Sequence, residues 1–278
     1  MFRMAINEYW DWLKNPRQSI WLVIIVVIYQ YITNPLVINA EMMNCNIGIF
    51  EPYIVLSNDE LMQMIIPVFF LLLISDFPGR YGTSYNSIIR IGRDKWLTAQ
   101  ILFLLMCSIT FSVMVVIASI ATAIGHIGLY GEWSRVITDF VKEFPQQSAN
   151  AGALLLDEST YFQGRALGVF GWSVTFMSLN VIFLGMILIW SYCIGINKAG
   201  MVTCIVLEVV GFMLCKADNM IKWVFPNAHS VYSFHFTKYY SEPVFPIVFS
   251  GVYFIAIIAI TYIFSYVRIK KIRLTGEG

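Results

Sequence analysis

The stretch IWLVIIVVIY, residues 20–29, decides the fold. Ten consecutive residues carry no charge, and apolar and polar positions do not alternate. A transmembrane β-strand needs that alternation, so the run excludes a barrel. A helix rising 1.5 Å per residue crosses the hydrocarbon core in about 20 residues, and this block extends far enough to do so. Five more blocks read the same way. The six predicted spans are about 19–38, 61–76, 96–125, 166–195, 199–215 and 247–267. The second contains Pro67, and the fifth is short and carries Glu208 near its middle. Composition agrees: 58% of the 278 residues are hydrophobic, 13% are charged and mean hydropathy is +0.70. Soluble domains carry roughly twice that charged fraction. The expected class is an all-α polytopic membrane protein.

Ahead of the first span, Phe2, Ile6, Tyr9, Trp10 and Leu13 recur on one helical face, and Glu8, Asp11 and Lys14 avoid it. Residues 1–15 are therefore expected to lie as an interfacial helix in the headgroup layer, broken at Asn15-Pro16. This polar start lacks a small-residue cleavage site, so the first span is expected to be retained.

Lysine and arginine set the orientation. With the N-terminus inside, twelve fall on one side: Arg3, Lys14, Arg17, Arg80, Arg90, Arg93, Lys95, Lys198, Arg268, Lys270, Lys271 and Arg273. Six fall on the other: Arg135, Lys142, Arg165, Lys216, Lys222 and Lys238. Both termini are thus expected in the cytoplasm, with outer-side segments at 39–60, 126–165 and 216–246. On the inner side only 77–95 has any length. The cysteines, Cys45, Cys107, Cys193, Cys204 and Cys215, are odd in number and scattered, so they read as buried small hydrophobes and not as a disulfide or metal framework.

The inner loop holds RYGTSYNSIIRIGRDKWLTAQ, residues 80–100. Gly82-Thr83 opens a short helix that Thr83 can cap. Tyr81, Tyr85, Ile88 and Ile89 share a face, and Gly92 ends the helix. Arg93, Asp94 and Lys95 follow, then Trp96 as an interfacial anchor for the next span. So short an amphipathic helix is unstable alone and must dock on something. The residues leave two surfaces open: the membrane with its neighbouring spans, or a groove on a cytoplasmic partner.

The whole layout resembles the permease subunit of an ATP-binding-cassette (ABC) exporter of the type-2 family. The resemblance is carried by an N-terminal interfacial helix, six spans and the pattern Gly82-Thr83, Ile88-Ile89, Gly92-Arg93, Lys95 and Trp96. An acid that often precedes the Gly-Thr pair is here no nearer than Asp76. The resemblance implies a type-2 ABC exporter-like bundle formed by one permease domain over 1–278. It makes 77–95 a cytoplasmic coupling loop, with Gly82, Thr83, Tyr85, Ile88, Ile89, Arg90 and Arg93 meeting a separate ATPase subunit. It implies a second permease, the same or a related chain, to complete the pathway. It also implies a bacterial cell membrane and two short re-entrant helices after the fifth span, turned near Pro226. The chain has no G-x-x-x-x-G-K-[ST], so ATP and Mg are expected on the partner, with no cofactor bound here and no enzyme activity. No feature points to nucleic acid.

Further residues invite a role. Glu208 is the ionisable residue deep inside a span, where a charge costs roughly 2.5–3.5 kcal/mol on insertion scales. It is expected either to line the substrate path or dimer seam, or to sit protonated and hydrogen-bonded for packing. Trp133, Val136, Ile137, Phe140, Val141 and Phe144 share a face up to Pro145, predicting an outer amphipathic helix on the leaflet or over the cavity. Tyr232, Phe234, Phe236, Tyr239 and Tyr240, with His229 and His235, read as an aromatic belt. A His229–His235 metal pair has an unfavourable spacing. The expected function is export of an amphiphile such as a peptide, lipid or drug. The alternatives are a membrane-embedded enzyme, such as a protease or acyltransferase, and a stand-alone ion-coupled carrier. The first lacks H-E-x-x-H and G-x-S-x-G motifs, and the second usually has repeats and several buried charges.

Overall fold

The computed structural model describes residues 1–78, 84–148, 156–236 and 244–271. Helix α1 (Phe2–Leu13) is followed by a 3-10 turn at Pro16–Ser19, whose start is capped by the Asn15 side chain accepting from the Arg17 N–H. Helices α2 (Ile20–Ile28) and α3 (Asn34–Met43) are joined by a π-helical turn, Tyr29–Thr33, into one 28-residue apolar span. Pro35 lacks the N–H that would bond four residues back, which accounts for the widened turn ahead of it.

Next come α4 (Glu51–Asn58) and α5 (Glu60–Leu73), bent by 93° at Asp59. Asp59 is extended and its carboxylate accepts from the Met62 N–H, so it caps α5 as it turns the chain. The sequence reading placed 39–60 in an outer loop. The structure instead continues the first span to Met43 and buries α4 almost throughout. The apolar run Tyr53–Leu56 was too short to announce a span, and tertiary packing decides it.

Helix α6 (Ser84–Ile91) leads through Gly92 into α7 (Arg93–Thr122). Strands β1 (Ile47–Gly48) and β2 (Ile127–Gly128) pair in parallel and tie the loops after the first and third spans together. Three single-turn helices follow: α8 (Arg135–Thr138), α9 (Phe140–Glu143) and α10 (Pro145–Ser148). Helix α11 (Glu158–Gln163) precedes α12 (Ala166–Ile194) and α13 (Asn197–Lys216). After 3-10 turn Met220–Val224 come α14 (Pro226–Ser230), a second 3-10 turn at Tyr232–His235, and α15 (Ile247–Ile269).

Among the described residues, five helical segments are long and apolar enough to cross a membrane, or six if the bent pair α4–α5 counts as one. The chain is an all-α, multi-pass membrane protein. Helix α12 is the axis, packing on α15, α13, α7, α4 and α5. Helix α15 carries Val252, Ile255, Ile260, Ile263 and Phe264 on an open face, which suits a lipid-facing span.

Candidate functional site

The sequence singles out 80–100, and the structure shows how that stretch is mounted. Gly92 separates α6 from α7 at φ +87° and ψ 153°, a conformation essentially restricted to glycine. Helix α6 folds back on α7. Ile88 is 1% exposed, whereas Ile89 is 58% exposed and Arg90 points outward with it. Neighbouring residues on a helix point about 100° apart, and here that angle divides inside from outside. The two isoleucines therefore stand in different environments: Ile88 is covered by the chain and Ile89 is open. Gly82 and Thr83 lie outside the described residues, as does the Tyr85 side chain.

The base of α7 is held from two sides. Trp96 is fully buried and stacks on Tyr192 near the end of α12, ring centroids 5.3 Å apart at 27°. It is not the interfacial anchor expected from its position. The Arg93 guanidinium donates to the Lys270 carbonyl, just past α15, at 3.2 Å. One end of the bundle thus collects α6, the start of α7 and the ends of α12 and α15. At this end Ile89 and Ile196 are exposed, as are Arg90, Lys95, Lys198, Arg268 and Lys270, with the acid Asp94 exposed among them.

Helix α1 braces the same end. It lies along the Gln100–Thr110 stretch of α7: the Gln100 amide donates to both Glu8 oxygens, at 3.2 and 3.0 Å, and Tyr9 and Thr110 hydroxyls meet at 2.7 Å. The Trp12 indole donates to the Leu73 carbonyl at the end of α5. Ala5 and Trp12 face the protein, while Phe2 and Trp10 are left exposed, as a helix lying at a bilayer surface requires. Burial pushes the Glu8 carboxyl up from 4.5 to about 7, partly offset by Gln100 and reinforced by Asp11.

Glu208 on α13 is completely buried within the chain. Asn180 of α12 donates to its Oε1 at 3.1 Å, and Asn227 of α14 donates to its Oε2 at 2.6 Å. Gly211, one turn further along α13, allows this approach: a Cβ there would stand 2.0 Å from Asn227 Oδ1. Both asparagine Oδ1 atoms are buried without a hydrogen-bond partner. Of the residues after the fifth span, α14 packs among α12, α13, α5 and α15, so a polar segment folds back into the bundle.

The expected aromatic belt is instead an interior cluster. His229, His235 and Tyr232 are buried; Tyr239 and Tyr240 lie outside the described residues. Ser250 Oγ stands 2.7 Å from both His229 Nδ1 and His235 Nε2. Each ring turns its other nitrogen to a backbone carbonyl: Trp223 for His229, Val231 and Tyr232 for His235. Tyr253 stacks on His229 at 3.9 Å. No group of three metal-ligating side chains occurs among the described residues. A serine between two histidines has the parts of a nucleophile and base, but Ser250 is fully enclosed.

One tie escaped the sequence reading. Glu51, at the start of α4, is buried and accepts three hydrogen bonds, from Gly48 N–H at 2.8 Å and from Ser134 N–H and Oγ–H at 2.6 Å. It joins β1, α4 and the start of α8. This docking turns Val136, Ile137 and Phe140 inward, so the outer amphipathic stretch rests on the protein itself, and it breaks at Asp139 into separate turns. A lone acid at the start of a short helix gave no periodic signal.

No protein-family model, no curated protein and no solved structure matches this chain.

Proposed function

We propose that this chain is the transmembrane subunit of an ABC exporter of the type-2 kind. It forms half of a translocation pathway with a second permease and takes its energy from a separate ATPase subunit carrying ATP and Mg. The observation that carries the reading is the mounting of α6. A short helix exposes Ile89 and Arg90 while its root, Arg93–Trp96, is tied to α12 and α15. A push on α6 must therefore be passed to two long helices as a rigid-body displacement, the kind of motion that alternates a cavity.

The basic end faces the cytoplasm in this reading, following the lysine and arginine bias of a bacterial cell membrane. The partner surface is an apolar groove with an acidic rim, complementary to Ile89 and Ile196 inside Arg90, Lys95 and Lys198. The cargo is an amphiphile, and the chain itself does no chemistry. Extraction from native membranes in mild detergent, followed by identification of the co-purifying chains, tests this. An ATPase subunit at stoichiometric yield supports it. A lone subunit that retains transport or hydrolytic activity supports a carrier or an embedded enzyme instead.

A further inference from the structure

The two interior imidazoles present four ring nitrogens, and each nitrogen has a defined partner. His229 Nε2 lies 2.8 Å from the Trp223 carbonyl, and His235 Nδ1 lies 3.1 and 3.2 Å from the Val231 and Tyr232 carbonyls. A carbonyl only accepts, so each of these nitrogens must carry a hydrogen. A neutral imidazole has a single N–H, which leaves His229 Nδ1 and His235 Nε2 as bare acceptors. Both stand 2.7 Å from Ser250 Oγ, and a hydroxyl has a single hydrogen to donate. In the neutral cluster one of the contacts therefore sets lone pair against lone pair. One added proton, on either ring, turns every contact into a hydrogen bond.

The surroundings admit that first proton and oppose a second. Each ring lies along an aromatic face that attracts a cation, Tyr253 for His229 at 3.9 Å and Phe176 of α12 for His235 at 5.9 Å. Burial lowers both imidazoles from 6.5 to about 4, partly offset by the carbonyls they face, and a charge on His235 lowers His229 further. Other titratable groups on the packed elements are engaged elsewhere. Tyr253 of α15 donates its hydroxyl to the Val224 carbonyl. Lys222 is turned to Asp218 and to the Phe234 ring. Glu208 of α13 is held by Asn180 and Asn227. Glu60 of α5, Tyr53 of α4, Glu158 and Tyr161 of α11, and Tyr232 by its hydroxyl, bond to neither ring.

We infer that His229, Ser250 and His235 form a one-proton site, in which the serine hydroxyl couples the two rings so that they take up a single proton between them. The site joins separate parts of the chain. His229 lies on α14, His235 ends the Tyr232–His235 turn, and Ser250 stands in the first turn of α15. The proton therefore ties the segment after the fifth span to the head of α15, and its loss as pH rises releases one of those contacts. This inference rests on the cluster alone, and not on the transport reading.

Nitrogen NMR of the full chain in nanodiscs, with isotope-labelled histidine, tests it from about pH 8 to about pH 4. His126, which is partly exposed, serves as the internal reference. Both interior rings should change together, with one midpoint and one proton between them. In Ser250→Ala that midpoint should fall by about one pH unit or more, the tenfold worth of a charge-assisted hydrogen bond, and the rings should no longer share it. His235→Gln offers the serine a neutral amide donor, so His229 should then stay neutral throughout the range. Two protons taken up, separate midpoints in wild type, or no uptake before the fold is lost would overturn the inference. So would a titration unchanged in Ser250→Ala, or His229 titrating at the wild-type midpoint in His235→Gln.

Discussion

Trp96 and Tyr192 stack at 5.3 Å across the root of α7 and the end of α12. The contact matters because it lies one turn from Gly92, where α6 is hinged on. Trp96→Ala empties a fully buried site and should cost about 3–5 kcal/mol of stability. Trp96→Phe keeps an aromatic ring against Tyr192 and should retain most of it. The sharper readout is coupling: under the proposed function, nucleotide hydrolysis by the partner ATPase should continue in Trp96→Ala while transport falls. Transport at the wild-type rate would show that force does not pass through this stack.

Ile88 and Ile89 are adjacent in sequence and opposite in environment, so they predict opposite defects. Ile88→Ala removes a buried side chain and should lower stability by about 2–5 kcal/mol. Ile89→Asp alters a mostly exposed side chain; it should leave stability within about 0.5 kcal/mol of wild type and, under the proposed function, abolish ATPase binding. Thermal melts beside pull-down yields separate the two. Equal partner loss in both variants, with equal stability, would show that they serve one face after all.

Glu208 predicts a tolerant substitution where intuition expects a severe one. Glu208→Gln brings an amide N–H toward Asn180 or Asn227, and a rotation of either asparagine offers it an Oδ1 that now has no partner. The variant should therefore fold within about 1 kcal/mol of wild type. Glu208→Leu strands two buried amides and should cost at least about 2 kcal/mol, since each unpaired group loses roughly 1–3 kcal/mol. If Glu208→Gln melts as low as Glu208→Leu, the charge itself holds the three helices together.

Glu8 makes stability depend on pH. Its carboxyl is raised from 4.5 to about 7, so the folded state holds the proton more tightly than the unfolded chain. The stability this brings is complete below pH 4.5 and is lost as pH rises through 7. The groups facing it are Asp11 on its own helix, Gln100 and Cys107 on α7, and Arg17 and Asp76 across the cleft between α1, α5 and α7. In phosphatidylcholine nanodiscs the melting temperature should fall across that window, and Glu8→Gln should remove the slope. A slope unchanged in Glu8→Gln would assign it to another group.

The long helices were legible because an uninterrupted apolar run has one stable solution in lipid. Five of the six predicted spans coincide with observed long apolar helices to within a few residues at most boundaries. The bend at Asp59 was not legible: α4 has neither the length nor the period of a span, and it is burial against α12, α7 and α5 that makes it a helix. Gly92 was readable as a helix stop, since glycine marks left-handed backbone. Periodicity grouped Ile88 with Ile89, but it cannot say which edge of a face will be covered by α7. Glu208 stood out from hydropathy alone, whereas its partners Asn180 and Asn227 come from helices remote in sequence. Glu51 gave no signal, because its three donors meet it only after two loops are paired through β1 and β2.

The most direct measurement of the central claim is cross-linking from Ile89→Cys in native membranes. In a chain that also carries Cys45→Ser, because Cys45 is a free, partly exposed thiol, the account predicts a cross-link to a co-resident ATPase subunit whose yield changes when nucleotide is trapped, with no labelling by an impermeant thiol reagent added outside intact cells. Labelling from outside, or a cysteine that meets lipid alone in the assembled complex, would contradict it.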